Sequence, residues 1–304
     1  MRHALSALAI IAMSGTSAFA QRDFDQVEIK TTEVAEGVYM LEGAGGNIGL
    51  SVGADGAFVI DDQFAPLSGK IMAAIAEVTD KPVEFVINTH YHGDHTGGNE
   101  AFGEAGAHIV AHDNVRKRMK EPNILPDGST APPSPDGALP IITFSEAMSF
   151  HWNGQDIHVW HQSAAHTDGD AVIYFKDANV VHMGDLMING GYPFVDINSG
   201  GVLSGYVAYY EKVLSKVDED VKIIPGHGAL ASKADLESYM AMLNEVRSRI
   251  QAEIDAGKTE DEAVAADPLS GLNEKWGQGF ISGEAMTRAA YKSLTAEHQA
   301  DHDH

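Results

Sequence analysis

Apolar positions along this chain follow two periods, and the change from one to the other happens twice. Residues 27–32 and 37–42 read as short strands, and 48–52 and 57–60 continue the pattern across the turn Gly53-Ala54-Asp55-Gly56. Leu67, Ile71, Ile75 and Val78 then recur at helical spacing, and Lys81-Pro82 ends that helix. Residues 83–87 form an apolar run of the kind a strand covered on both faces requires. A strand at 107–111 and a short basic helix at 114–120 follow. Residues 121–140 contain six prolines and read as a loop, placed where it can line a cleft. Strands resume at 147–151, 157–161, 171–175 and 180–183. Tyr206, Tyr210, Val213, Leu214 and Val217 mark a helix, and 221–224 another buried strand. Ser232 with Asp235 forms a capping-box pattern before Leu236, Met240, Leu243, Val246 and Ile250; Thr259 with Glu262 repeats it. Two halves, each with strands first and helices after, predict an α/β fold: two facing sheets with helices outside.

Composition narrows the partners. The 304 residues carry 20 Lys plus Arg against 44 Asp plus Glu, a net charge of −24. That balance argues against nucleic acid, against anionic membrane surfaces and against highly anionic substrates. The N-terminus reads as a secretory signal: Arg2 and His3, an apolar stretch at 4–13 too short to span a bilayer, and Ala18-Phe19-Ala20 before Gln21. Cleavage there leaves an exported, most naturally periplasmic, protein with no membrane anchor. With no cysteine in the sequence, its stability must come from the core and from any bound metal.

The chemistry concentrates in Thr89-His90-Tyr91-His92-Gly93-Asp94-His95-Thr96-Gly97-Gly98, directly after the apolar run at 83–87. His90 and His92, two apart, can point to one side of an extended segment, leaving Asp94 and His95 to turn to a neighbouring point. That is ligand material for two metal ions. Nitrogen and carboxylate ligands without thiolate suit zinc best, with iron, manganese or nickel also admissible. Three further residues stand beside glycines at strand ends: His166 before Thr167-Asp168-Gly169-Asp170, Asp185 in Gly184-Asp185, and His227 in Gly226-His227-Gly228. His108, His158 and His182 fall inside strands, and His112 and His161 close them; a full ligand set needs none of the five.

The His-x-His-x-Asp-His motif, the later His, the Gly-Asp and the Gly-His-Gly together resemble the metallo-β-lactamase-fold hydrolases over roughly residues 27–230. The resemblance implies an αββα sandwich with metals at one edge of the sheets. It implies a first zinc on His90, His92 and His166, a second on Asp94, His95 and His227, and Asp185 bridging or capping the pair. Two such ions can share a hydroxide that attacks a carbonyl near neutral pH, with Asp94 orienting it and handling a proton. Thr167, Asp168 and Asp170 are candidates for orienting the imidazoles or for ordinary loop hydrogen bonding. The domain then runs over 21–297, after a signal peptide at 1–20 and before a His/Asp-rich tail at 298–304 suited to loose zinc binding.

The substrate implied is a small molecule: a cyclic amide such as a β-lactam, a lactone or a thioester. The chain departs from the best-known exported β-lactamases. Asp185 stands where some of them have Cys, and Ile188 occupies the neighbourhood where a basic residue binds the drug carboxylate. Asp185 and His95 are similar to the glyoxalase II ligand set. Met183, Leu186, Met187 and Ile188 suggest an apolar cleft wall, with Asn189 and Tyr192 as donors to substrate. A contrasting class, a periplasmic zinc-binding protein without turnover, is consistent with the tail.

Overall fold

The structure is a computed structural model that describes residues 23–124 and 128–302; the signal peptide expected at 1–20 and the last two tail residues lie outside them. Seven strands form the first sheet: β1 (Lys30–Ala35), β2 (Val38–Glu42), β3 (Ile48–Gly53), β4 (Gly56–Ile60), β5 (Val83–Ile87), β6 (His108–His112) and β9 (Ile142–Phe144). They lie in the order β1-β2-β3-β4-β5-β6-β9, antiparallel as far as β4 and parallel from there. The two-residue strands β7 (Asn123–Ile124) and β8 (Thr130–Ala131) pair apart from it. The second sheet runs β10 (Ala147–Trp152), β11 (Gln155–Trp160), β12 (Val172–Phe175), β13 (Val180–Ile188) and β14 (Lys222–His227), with only β13 and β14 parallel.

Strand alternation decides which side chain enters which layer. Phe58, Ile60, Ile87 and Val110 point between the sheets, where they meet Ile157, Val159, Ile173, Phe175 and Ile224. Their neighbours Ala57, Val59, Val86 and Ile109 face outward onto Ile71 and Ile75 of α1 (Ser68–Val78) and Phe102 of α3 (Asn99–Glu104). On the far side, Val172, Tyr174, Val181 and Ile223 face α5 (Gly205–Leu214), α6 (Lys233–Asp255) and α9 (Gly283–His302). The central strands β4 and β12 are therefore apolar on both faces, and the layers are helix, sheet, sheet, helix, as the sequence predicts. The capping boxes at Ser232/Asp235 and Thr259/Glu262 are present and open α6 and α7 (Glu260–Ala265).

Several local expectations are corrected. The first strand begins at Lys30 rather than residue 27, because Lys70 Nζ donates to the carbonyls of Phe24, Asp25 and Val27 at 2.7–3.0 Å and ties that segment to α1. The proline-rich stretch does not stay structureless: after the small hairpin, Ser134 N–H bonds the Met119 carbonyl, and Ala138 and Leu139 pack with Val115 and Met119 of α4 (Asp113–Met119). Met183, Leu186 and Met187 are buried in the core under α5 and α6, so they form no cleft wall. The C-terminal elements α8 (Ser270–Trp276) and α9 had no counterpart in the sequence pattern, and α9 crosses position 297 without a break. Among the described residues, no helix is long and apolar enough to cross a membrane.

Candidate metal centre

The edge of the sandwich where β5, β13 and β14 end gathers all seven expected ligands. The segment expected to be extended instead bends at residues 89–91 after β5, which still brings His90 and His92 together, and then coils into the single turn α2 (Gly93–Thr96) that swings Asp94 and His95 aside. His166 comes from the loop between β11 and β12, and His227 closes β14. Asp185 differs from expectation: it lies within β13, at an irregularity in the pairing with β14, not beyond the strand's end. Gly184 makes that irregularity possible, since its φ of +52° is left-handed and a Cβ there would fall 2.6 Å from the Thr89 side chain.

The ligand atoms fall into two groups, His90, His92, His166 and Asp185 in one and Asp94, His95 and His227 in the other. His92 Nδ1 lies 3.1 Å from His90 Nε2 and 2.9 Å from His166 Nε2. Nitrogen lone pairs this close repel unless a proton or a cation lies between them; two nitrogens on tetrahedral zinc are roughly 3.3 Å apart. Asp185 spans the groups. Its Oδ1 is 3.1 Å from His95 Nε2 and 3.3 Å from His227 Nε2, while its Oδ2 is 3.6 Å from His166 Nε2 and 4.0 Å from His90 Nε2. Asp94 Oδ2 completes the second group, 3.4 Å from His227 Nε2 and 3.8 Å from His95 Nε2. His95 Nε2 and Asp185 Oδ1 are buried and face each other at 3.1 Å without hydrogen-bond geometry, an arrangement that costs free energy unless a cation fills the space. The residues therefore fit divalent metal ions.

The second nitrogen of four imidazoles is held from behind, which fixes ring orientation and leaves the other nitrogen facing the centre. His95 Nδ1 lies 2.7 Å from Asp61 Oδ2. The Thr89 hydroxyl donates to the same oxygen at 2.7 Å and sits 3.0 Å from His90 Nδ1. His92 Nε2 meets Asp196 at 3.0 Å, and His166 Nδ1 meets the Phe194 carbonyl at 2.6 Å. Tyr91 OH bonds both Asp196 and Ser199. Asp61 and Asp196 escaped the sequence reading. Asp61-Asp62-Gln63 directly follows the apolar strand β4, the same signal that singled out the other ligands, whereas Asp196 sits in a loop with no such mark.

Other expectations resolve into structural roles. Asp168 forms a two-point ion pair with Arg118 at 2.6 and 2.7 Å, and Asp170 accepts from Thr167, so neither touches a ligand imidazole. Asn189 donates one N–H to the Ala229 carbonyl, and the buried Tyr192 commits its hydroxyl to Asn273. His112 and His161 stack on each other at 4.1 Å, and His182 Nε2 meets the Asn47 carbonyl.

Electrostatics divides the centre in its metal-free form. Burial, reinforced by neighbouring imidazoles, drives His90 well below the ordinary histidine range, and burial holds His166 down to about 4. The carboxylate of Asp185 raises His227 to about 10. Burial opposes a charge on His95, yet Asp185, Asp94 and Asp61 together raise it well above 6.5. Burial likewise favours neutral Asp94, but His95 and His227 overcome it and lower the group to about 2. His90 and His166 are thus offered as neutral imidazoles, while His95 and His227 hold protons that a cation must displace.

A family model described as the Metallo-beta-lactamase superfamily matches residues 42–227, which contain every ligand above. The chain is 26% identical over 190 residues to a 2,4-dinitroanisole O-demethylase alpha subunit from Nocardioides sp., covering 61% of this chain and 53% of that protein. It is 25% identical over 195 residues to a hydroxyacylglutathione hydrolase from Nitrosococcus oceani, covering 60% and 66%. The chain thus spans less than two thirds of the length of these relatives. Among solved structures, a stereoselective inverting sec-alkylsulfatase from Pseudomonas sp. superposes with a TM-score of 0.67 at 16% identity, over 87% of this chain and 50% of that one. A metallo-beta-lactamase from Pontibacter korlensis gives 0.59 at 18%, over 71% and 99%. With the αββα layers, the two ligand groups and the family match over most of the chain in agreement, the protein belongs to the metallo-beta-lactamase superfamily.

Proposed function

We propose that the protein is an exported hydrolase that uses two divalent ions, zinc by ligand preference, to cleave an uncharged carbonyl ester: a lactone or thioester first, a cyclic amide second. The observation that carries this is Asp185, whose two oxygens face different ligand groups. His90, His92 and His166 would hold one ion, Asp94, His95 and His227 the other, and Asp185 both. When bound, such ions supply Lewis acidity to a carbonyl and lower the pKa of water to near 7. Asp94, its side chain 26% exposed against 8% for Asp185, is the carboxylate open to solvent and placed to orient the attacking water and accept its proton. Asp61, Thr89 and Asp196 keep the imidazoles aimed while charge changes in front of them.

Ester over β-lactam selectivity rests on charge. Ile188 and Asn189 follow Asp185 where a cation for a drug carboxylate would be useful, and Arg118, stacked over Tyr91 at 5.7 Å, is committed to Asp168. Relatives named as hydroxyacylglutathione hydrolases support the same preference. The test is a panel of lactones, thioesters and β-lactams with metal content measured alongside. Asp94→Asn should retain metal at saturating zinc and lose at least ~100-fold in kcat. A fully loaded protein that hydrolyses nothing in the panel overturns the reading in favour of a metal-holding role. Export is supported by the pattern of residues 1–20, and is tested by the mass of the mature protein, expected to begin at Gln21.

A further inference from the structure

Phe280 is 81% exposed, the most exposed large apolar side chain among the described residues. It is not on a loose end. Trp276 before it and Ile281 after it are buried in the core, the Tyr192 N–H donates to the Trp276 carbonyl at 2.9 Å, and the Cβ position of Gly279 lies only 3.7 Å from Gly191. The segment after α8 is thus docked on the loop that follows β13, and Phe280 is held out from it.

What it is held toward is the metal centre. The Phe280 ring stands edge-on to Phe194 at 6.3 Å. Phe194 in turn stacks on His92 at 5.9 Å and meets His166 at 5.7 Å. Its carbonyl accepts from His166 and from Tyr206, so Phe194 is fixed by the centre itself. The two phenylalanines make a continuous apolar path from two ligand imidazoles to solvent. Phe280 and its segment also lie beyond residue 227, where the family match ends.

We infer that Phe280 and Phe194 form a subsite for an apolar acyl or alkyl portion of the substrate, which lies along the two rings while its reacting carbonyl meets the ligand groups. This rests on the hydrolase reading and adds the substrate class: uncharged, with a medium-length hydrophobic chain rather than a compact polar body. An anionic tail is disfavoured, because the two rings offer it neither a cation nor a hydrogen-bond donor and Asp196, bonded to the His92 on which Phe194 stacks, is acidic.

The test separates binding from turnover. Acetohydroxamate and octanohydroxamate, which share a metal-binding head and differ only in chain, are titrated calorimetrically into the zinc-loaded protein, its Phe280→Ala variant and its Phe280→Leu variant. The unaltered protein should bind the octanoyl compound at least tenfold tighter. Phe280→Ala should lose about tenfold of that preference, the change expected for ~50 Å2 of apolar contact, and Phe280→Leu should keep most of it. Acetohydroxamate, too short to reach Phe280, controls for an intact metal centre. An unchanged preference in Phe280→Ala, or no preference in the unaltered protein, overturns the subsite. A chain-length preference that Phe280→Ala removes, in a protein that hydrolyses no ester, leaves the subsite standing and removes the hydrolase reading.

Discussion

Replacing Asp61 by asparagine should weaken one of the two metal positions far more than the other. Asp61 is fully buried and accepts three hydrogen bonds, each of 2.7 Å: from the Thr89 N–H at Oδ1, and from the Thr89 hydroxyl and His95 Nδ1 at Oδ2. Its φ of +61° is left-handed, a conformation asparagine accepts as readily as aspartate, so the substitution changes chemistry without straining the backbone. An amide has one oxygen. If that oxygen stays on the Thr89 N–H, the NH2 faces His95 and can be satisfied only by a lone pair on Nδ1. The imidazole proton then moves to Nε2, the atom that faces Asp185. If the amide flips, its NH2 confronts the Thr89 N–H instead. Either arrangement forfeits a buried hydrogen bond to a charged group, worth about 1.5–3 kcal/mol. Loss of such an orienting partner typically costs 10–100-fold in metal affinity, about 1.4–2.7 kcal/mol. Zinc titration of the metal-free protein against a chromophoric chelator should show the step assigned to Asp94, His95 and His227 weakened by that factor. The His90, His92 and His166 step should move much less, because Asp61 reaches His90 only through the Thr89 hydroxyl. Two unchanged steps, or equal weakening of both, would refute the reasoning.

Four further outcomes follow from the structure. His227, at about 10 in the metal-free fold against ~6.5 unfolded, stabilises that fold fully below pH ~6.5 and loses the contribution as pH rises through about 10. Chelator-treated protein should therefore melt at a lower temperature at pH 10 than at pH 6. For the same reason, zinc binding at pH 7 should release protons, read by calorimetry in buffers of different ionisation enthalpy; release independent of pH would contradict the assignment. Gly226→Ala places a Cβ 2.1 Å from Asp185 Oδ1 and should bring metal stoichiometry below two while costing about 1–3 kcal/mol, checked by elemental analysis and denaturant melts. Phe58→Ala removes a fully buried ring that meets Phe85, Phe150 and Phe175 between the sheets, and should cost about 3–5 kcal/mol in urea unfolding with the ligand groups untouched.

Sequence by itself determined the layers and the candidate ligands. A strand buried on both faces has to be apolar throughout, so β4, β12 and the start of β13 announce themselves, and a helix that begins with Ser232 and Asp235 carries its own start signal. The ligands were legible because few other functions place His and Asp beside glycine at successive strand ends. Tertiary structure decided what those local signals leave out. Whether β13 continues through Gly184 and Asp185 depends on pairing with β14, which lies some forty residues away and lets two weak strand formers remain in the sheet. Asp185 faces both ligand groups because its carboxylate sits between residues drawn from the segment after β5, the loop between β11 and β12 and the end of β14. Asp61, Asp196 and the Phe194 carbonyl acquire their roles only by spatial approach to imidazoles 34, 104 and 28 positions away. Phe280 is one exposed ring in a sequence with 11 phenylalanines until the docking of α8 against the loop after β13 aims it at the centre. Periodicity reports how a side chain divides between core and water. It says nothing of which distant partner that side chain meets, and partners are what make a metal centre.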